Sequence, residues 1–380
     1  MNMSTIRARN ALPFWLSLGV VPLLSIGAAL HGGWTTFLVP LYAWYLFSIL
    51  DRLLGMNTDN PDPDTDDSEL ALYRLITMIW FPIQFVMIYG LIYFVTHTDH
   101  LSMTEIIVLF FSLGVSSGTI GIVYAHELLH QRNRVERWLG DLLLASVLYS
   151  HFRTEHLLVH HKHVGTRRDA VTALYNEGFH HFFWRVLREG PISAWQAEKA
   201  LLARRGQSPF HPRNPHFRYW MLQIGMLILA VLAGGAFGFF LFIWQAFIAI
   251  WQLELTNYVE HYGLTRRHLG DGKYEHVKPH HSWNAAQMAT NWLLINLQRH
   301  SDHHYKPDRR FPLLQNYSED DAPQLPYGYP VMTFAAMVPP LWRRVMNPRV
   351  KEWRKQYYPD MTTFADWEPY KHGTNPLPRL

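Results

Sequence analysis

The chain has 380 residues, of which 49% are hydrophobic, 17% carry a formal charge, 23 are histidine and none is cysteine. The missing thiols exclude disulfides, thiolate catalysis, iron–sulfur clusters, cysteine-bound zinc and an internal four-cysteine iron site. A net charge of +4 without a basic stripe or a matching motif gives no sign of nucleic-acid binding.

Mean hydropathy is near zero because strongly apolar segments alternate with charged, His-rich ones. A bilayer core needs about 20 apolar residues per helix. Leu12 to Leu30 is the first such run, and after His31-Gly32-Gly33 a second runs from Trp34 to Leu50. A third, Leu72 to Val95, is followed by His97-Thr98-Asp99-His100, and a fourth runs from Met103 to Ala125. Tyr219 to Ala233 and Phe237 to Trp251 then flank Gly234-Gly235. The pattern predicts six spans in three hairpins, an all-α integral membrane protein with a His-rich cytoplasmic portion. A fold of buried soluble helices would not need so many such runs. The first run is long and leads straight into another, unlike a cleaved signal peptide.

Lys and Arg set the orientation. The three tight hairpin turns contain neither residue. Arg7 and Arg9, the 51–71 loop, residues 126–217 and the tail from Asn257 are therefore expected in the cytoplasm, with both termini there. This divides the chain into 1–125 (spans one to four), 126–217 (a first cytoplasmic segment), 218–256 (spans five and six) and 257–380 (a second). The acidic loop Asn57–Glu69 is expected to be a solvated connector without chemistry.

Four clusters on that side carry the chemistry. His126-Glu127-Leu128-Leu129-His130 follows span four, with the two imidazoles at i, i+4 on one helix face. Glu155-His156 and His160-His161 form the second cluster, Glu260-His261 the third, and His300-Ser301-Asp302-His303-His304 the fourth. Nine histidines are too many for one ion of ordinary coordination and suit two. HExxH alone would suggest a zinc protease with Glu127 as base, but that reading leaves most of these rings idle. Glu127, Glu155, Glu260 and Asp302 each adjoin a candidate ligand. They are expected to accept the other ring N–H of an imidazole, or else to bind metal directly. The remaining histidines are expected outside the site, with His163 and His280-His281 the nearest to the pattern. Imidazole suits iron, zinc and copper, and so large a neutral donor set beside a bilayer favours iron and O₂ chemistry.

With HELLH (126–130), EHLLVHH (155–161), NYVEHYGL (257–264) and LQRHSDHH (297–304) in this order, the sequence resembles the alkane 1-monooxygenases. These are membrane-bound non-haem di-iron hydroxylases within the wider membrane fatty-acid desaturase and hydroxylase superfamily. Leu129, Gln131 and Val159 stand where the family often has Gly, Lys and Gly, while all nine histidines are kept. The resemblance implies two non-haem irons held by His126, His130, His156, His160, His161, His261, His300, His303 and His304, with no nucleotide or covalent cofactor on this chain. It implies that O₂ is the cosubstrate and that electrons come from NAD(P)H through a reductase and a separate rubredoxin. One oxygen atom then enters the terminal methyl of a medium- or long-chain n-alkane drawn from the lipid of a bacterial inner membrane. A fatty-acyl desaturase, or a lipid or xylene-type methyl hydroxylase with the same metals, is the alternative. Trp44 or Tyr45 on span two is expected to limit chain length. The cations of 343–355, led by Arg343, Arg344, Lys351 and Lys355, are expected to dock an acidic donor.

Overall fold

The computed structural model describes residues 8–361, so Arg7 and His372 lie outside it. The protein is mostly helical, and five helical segments are long and apolar enough to cross a membrane. They are α1 (Leu12–His31), α2 (Gly33–Leu54), α3 (Asp67–Thr96), α4 (Met103–His130) and the long Pro215–His261. The last is two helices. Gly234 and Gly235 leave helical geometry, the latter at φ 61°, which glycine adopts at no steric cost. The halves, α8 (215–233) and α9 (236–261), fold back closely; a Cβ on Gly238 would lie 2.5 Å from the Ala230 carbonyl oxygen.

The three turns gather at one end. Glu105 accepts hydrogen bonds from Ser102 N at the start of α4 and from Gly33 N in the first turn. A Cβ on Gly234 would meet Ile92 and Thr96, which places the third turn beside the second. The nine cluster histidines lie at the opposite end, where α4 and α9 finish.

The α4 helix is the hub, because glycines let α9 come close. A Cβ on Gly114 would meet Gln245 O at 2.6 Å, and one on Gly118 would meet Ala249 O at 2.7 Å. Beyond the long helices the chain forms α5 (Arg134–Ala145), α6 (residues 152–163) and α7 (Phe179–Ala203). After α9 come a small hairpin, β1 (His268–Gly270) with β2 (Lys273–Tyr274), then α10 (Met288–Leu293) and α11 (His300–Tyr305). The helices α12 (Tyr329–Ala336) and α13 (Pro339–Tyr357) complete the described chain.

The acidic loop does more than connect. Buried Arg299 donates to Leu314 O, to Asn57 O and to Asp59 O at 2.7, 3.2 and 3.0 Å. Asp67 pairs with Arg74 and Arg310, and both arginines also hold buried Glu136. The loop keeps many of its side chains exposed, as expected, but its carbonyls and Asp67 also tie it to arginines beside the fourth His cluster.

Candidate metal centre

Local helix geometry decides which histidines share a group. In α4, His126 and His130 are one turn apart and stay together. In α6 the stretch Glu155–His160 is π-helical. That wider turn aligns residues i and i+5, so His156 pairs with His161 while His160 turns away. In α11, His300 and His304 share a face and His303 points off it. His261 closes α9. The outcome is two groups, His126, His130, His156, His161 and His303 in one, and His160, His261, His300 and His304 in the other. Within each group the candidate ligand atoms all lie within 4.8 Å of one another.

In the first group, Nε2 of His156 lies 3.0 Å from both His130 Nε2 and His161 Nε2, and His161 Nε2 lies 3.1 Å from that of His303. In the second, His300 Nε2 lies 3.2 Å from His261 Nε2 and 3.0 Å from His304 Nε2. All nine rings are buried except His130 and His161, which are partly exposed. Burial first, and then the neighbouring rings, hold His156, His161, His300, His303 and His304 well below the ordinary histidine value. They are therefore neutral at pH 7 with lone pairs available, the form a metal requires.

The surrounding carboxylates support the same reading. Glu155 and Glu254 are buried, and Glu155 Oε1 has no hydrogen-bond partner. Burial, and then the charges of Asp169 and Glu254, push the Glu155 carboxyl well above the usual range. Without a nearby cation such a carboxyl is held in its neutral form, and metal ions at the two groups would favour the carboxylate. The donor set therefore fits two imidazole-loving ions such as iron.

The four carboxylates singled out in the sequence have different surroundings. Glu260 Oε2 lies 3.3 Å from His300 Nε2, at the metal-facing atom, and its Oε1 accepts from Tyr329 OH at 2.9 Å. Glu127 accepts from Gln131 Nε2 at 2.9 Å. Asp302 is gripped by Arg309, by Tyr317 OH and by Gln315 N, at 2.6 to 3.0 Å. Asp169 meets a ligand ring at Nδ1, 3.0 Å from His160, and is itself bonded by Thr172 and Val171 N. No spacing rule points to Asp169, because the turn after α6 folds it back.

Glu275, His280 and His281 form a third cluster with ligand-like spacing. Its protons argue against a metal. The backbone N–H of Lys278 donates to His281 Nδ1 at 2.9 Å, so the ring proton sits on Nε2, 2.7 Å from Tyr358 OH. Tyr358 passes its own proton to Glu275. The chain of donors is complete, and the cluster latches the end of α13 to the segment before α10.

An apolar passage approaches the centre. Its outer part, about 350 Å³, lies between α2, α9 and α12 and is lined by Trp44, Tyr45, Trp251, Leu255, Val331 and Phe334 among others. A smaller inner chamber of about 20 Å³ continues it, with Trp44, Val123, Leu294 and Tyr329 in its wall. Trp44 lines both parts, and Tyr45 only the outer one. A polar groove of about 700 Å³ exposes His130 beside Arg132, Lys306, Arg309 and Arg310, with Asp67 and Asp308 also in its wall. On α13, Arg343, Arg344, Lys351 and Lys355 are exposed, whereas Arg354 is buried over Tyr175.

Residues 102–336 match the fatty acid desaturase family. Alkane 1-monooxygenase 2 of Alcanivorax borkumensis is 38% identical over 362 residues, 90% of each chain. Alkane 1-monooxygenase 2 of Pseudomonas aeruginosa is 36% identical over 330 residues, 86% of this chain and 87% of that one. Alkane 1-monooxygenase of Pseudomonas putida is 35% identical over 345 residues, 90% of this chain and 84% of that one.

Proposed function

The chain belongs to the alkane 1-monooxygenase family, within the broader fatty acid desaturase family, and from that premise we propose that it hydroxylates the terminal methyl of medium- or long-chain n-alkanes, or similar alkyl groups, to primary alcohols. The observation that carries the reading is nine imidazoles sorted into two groups beside an apolar passage whose inner wall includes Tyr329, the residue that bonds Glu260 next to His300. The five-His and four-His groups would each hold one non-haem iron. When bound, the irons supply the reduction of O₂, placing one oxygen atom in the C–H bond and releasing the other as water.

This chain's own residues do the rest. The imidazoles fix the two metal positions. Asp169 sets the His160 ring proton on Nδ1 and leaves Nε2 free to ligate. Tyr329 holds the Glu260 carboxylate toward the second group. The walls of the passage exclude water and admit one end of an extended chain. With α8 and α9 counted separately, six helices cross a bacterial inner membrane, with the Lys- and Arg-free turns outside and the metal end in the cytoplasm. A separate rubredoxin, reduced by an NAD(P)H-dependent reductase, delivers the electrons.

The test uses protein purified from membranes and given n-octane, ¹⁸O₂, rubredoxin and its reductase. The expected result is two irons per chain and 1-octanol carrying ¹⁸O. An alkene product would move the chain to the desaturase reading, and zinc in place of iron would overturn the mechanism.

A further inference from the structure

The inner chamber is not uniformly apolar. Five polar side chains line it, namely Thr119, Gln252, Thr256, Thr290 and Thr333. Three of their hydroxyls are already engaged. Thr333 donates to Tyr329 O at 2.8 Å, Thr256 to Gln252 O at 3.3 Å, and Thr290 to Asp51. The Thr119 hydroxyl and the Gln252 Oε1 have no partner, although both residues are more than nine-tenths buried. Both line the same small chamber, and the helices that carry them approach closely, since a Cβ on Gly118 would lie 2.7 Å from Gln252 Cβ. Two unanswered polar atoms in an apolar passage are costly, and an alkane can answer neither.

The geometry points to a hydroxyl-binding station for the product, a primary alcohol, formed by Gln252 and Thr119 between the outer passage and the metal ligands. The inference rests on the alkane-hydroxylation reading and goes beyond it. The alcohol O–H donates to Gln252 Oε1, and its oxygen accepts from the Thr119 hydroxyl. A chamber of about 20 Å³ has room for one hydroxyl or water beside these two atoms. Gln252 also lines the outer part, so a departing alcohol exchanges the metal end for this station before it reaches lipid. The station separates product from substrate by the one group that differs between them. Missing a hydrogen bond in a site built for one is penalised more heavily than missing a methylene in an apolar pocket.

The test compares binding of 1-octanol and n-octane to the protein in lipid nanodiscs, read through quenching of the tryptophan fluorescence to which Trp44 and Trp251 contribute. Gln252→Leu and Thr119→Val are each expected to lower the ratio of alcohol to alkane affinity by about tenfold, the usual worth of one buried hydrogen bond. Thr119→Ser keeps the hydroxyl and is expected to keep the wild-type ratio, which separates the station from a general packing defect. An unchanged ratio in both Gln252→Leu and Thr119→Val overturns the proposal, as would a resident water that never yields to alcohol. The binding ratio is read without turnover, so a failure of alkane hydroxylation itself would show separately, in the product assay.

Discussion

The two halves of the metal centre are built on different principles. The five-His group has rings from α4, α6 and α11, and two of them, His130 and His161, are partly exposed. His130 forms part of a cationic groove. The four-His group is wholly buried, with Asp169 on His160 and Glu260, braced by Tyr329, beside His300. One half faces outward and the other is sealed and oriented by hydrogen bonds. Under the proposed function, the open half would receive electrons and the braced half would hold its metal in a fixed geometry.

The largest expected effect tests whether both halves are needed. His303→Ala in the open group and His300→Ala in the sealed one should each abolish turnover. Metal analysis should show iron lost from both variants, while His97→Ala, remote from the centre, keeps it. A chelator should strip one iron from the wild type well before the second if the open half exchanges faster. Simultaneous loss would break the comparison.

Next is the bracing itself. Asp169→Asn is expected to weaken iron retention or activity by about 10- to 100-fold, as removing a carboxylate behind a ligating imidazole does. Asp302→Asn removes the partner of Arg309 in a nearly buried pair and should instead cost about 3 kcal/mol of stability, seen in denaturant unfolding with iron per folded chain preserved. Equal iron loss in the two variants would show that Asp169 has no special part.

Acid should discriminate as well. The rings of His156, His161, His300, His303 and His304, drawn from both groups, titrate below their ordinary value in the folded chain. Below about pH 6.5 the unfolded chain therefore binds protons that the folded chain refuses, and stability falls with pH. The iron-free protein should melt at progressively lower temperature from pH 7.5 to 5.5. A flat profile would mean that the rings of both groups are hydrated in the folded chain.

Substrate selection comes next in size. Trp44→Ser should extend the chain lengths accepted, because Trp44 walls both parts of the passage, while Tyr45→Ser should shift the profile less. Activity across a ladder of n-alkanes decides. The smallest effect concerns the electron donor. Charge reversal at Arg132 and Lys306, beside His130, should raise the rubredoxin concentration needed for half-maximal rate, and added salt should do the same. Reversal at Arg343, Arg344, Lys351 and Lys355 tests the surface suggested by composition alone. A response only to the second set would move electron delivery away from the open half.

Much of the site was legible in the sequence. The nine histidines stand at spacings that follow from helix periodicity, and the helix-breaking Gly32-Gly33 and Gly234-Gly235 sit where the apolar runs stop. Their sorting was not legible. A uniform α-helix would keep His156 with His160, and only the π-helical stretch of α6 sends them to different groups. The same limit applies to charges. Adjacency suggested Asp302 and Glu127 as ring acceptors, yet a neighbouring side chain on a helix points about 100° away, toward Arg309 or Gln131.

The apolar spans, the nine imidazoles and the family are readable in residue order, because short-range periodicity and ligand chemistry are written there. The division into an open and a sealed half, the carboxylate behind His160, the tethered acidic loop and the two unpartnered polar atoms in the passage come from tertiary packing. Most of these depend on which groups meet across long stretches of chain, as Arg299 meets Asn57. Such meetings are set by the packing of whole helices and the demand that buried polar atoms find partners.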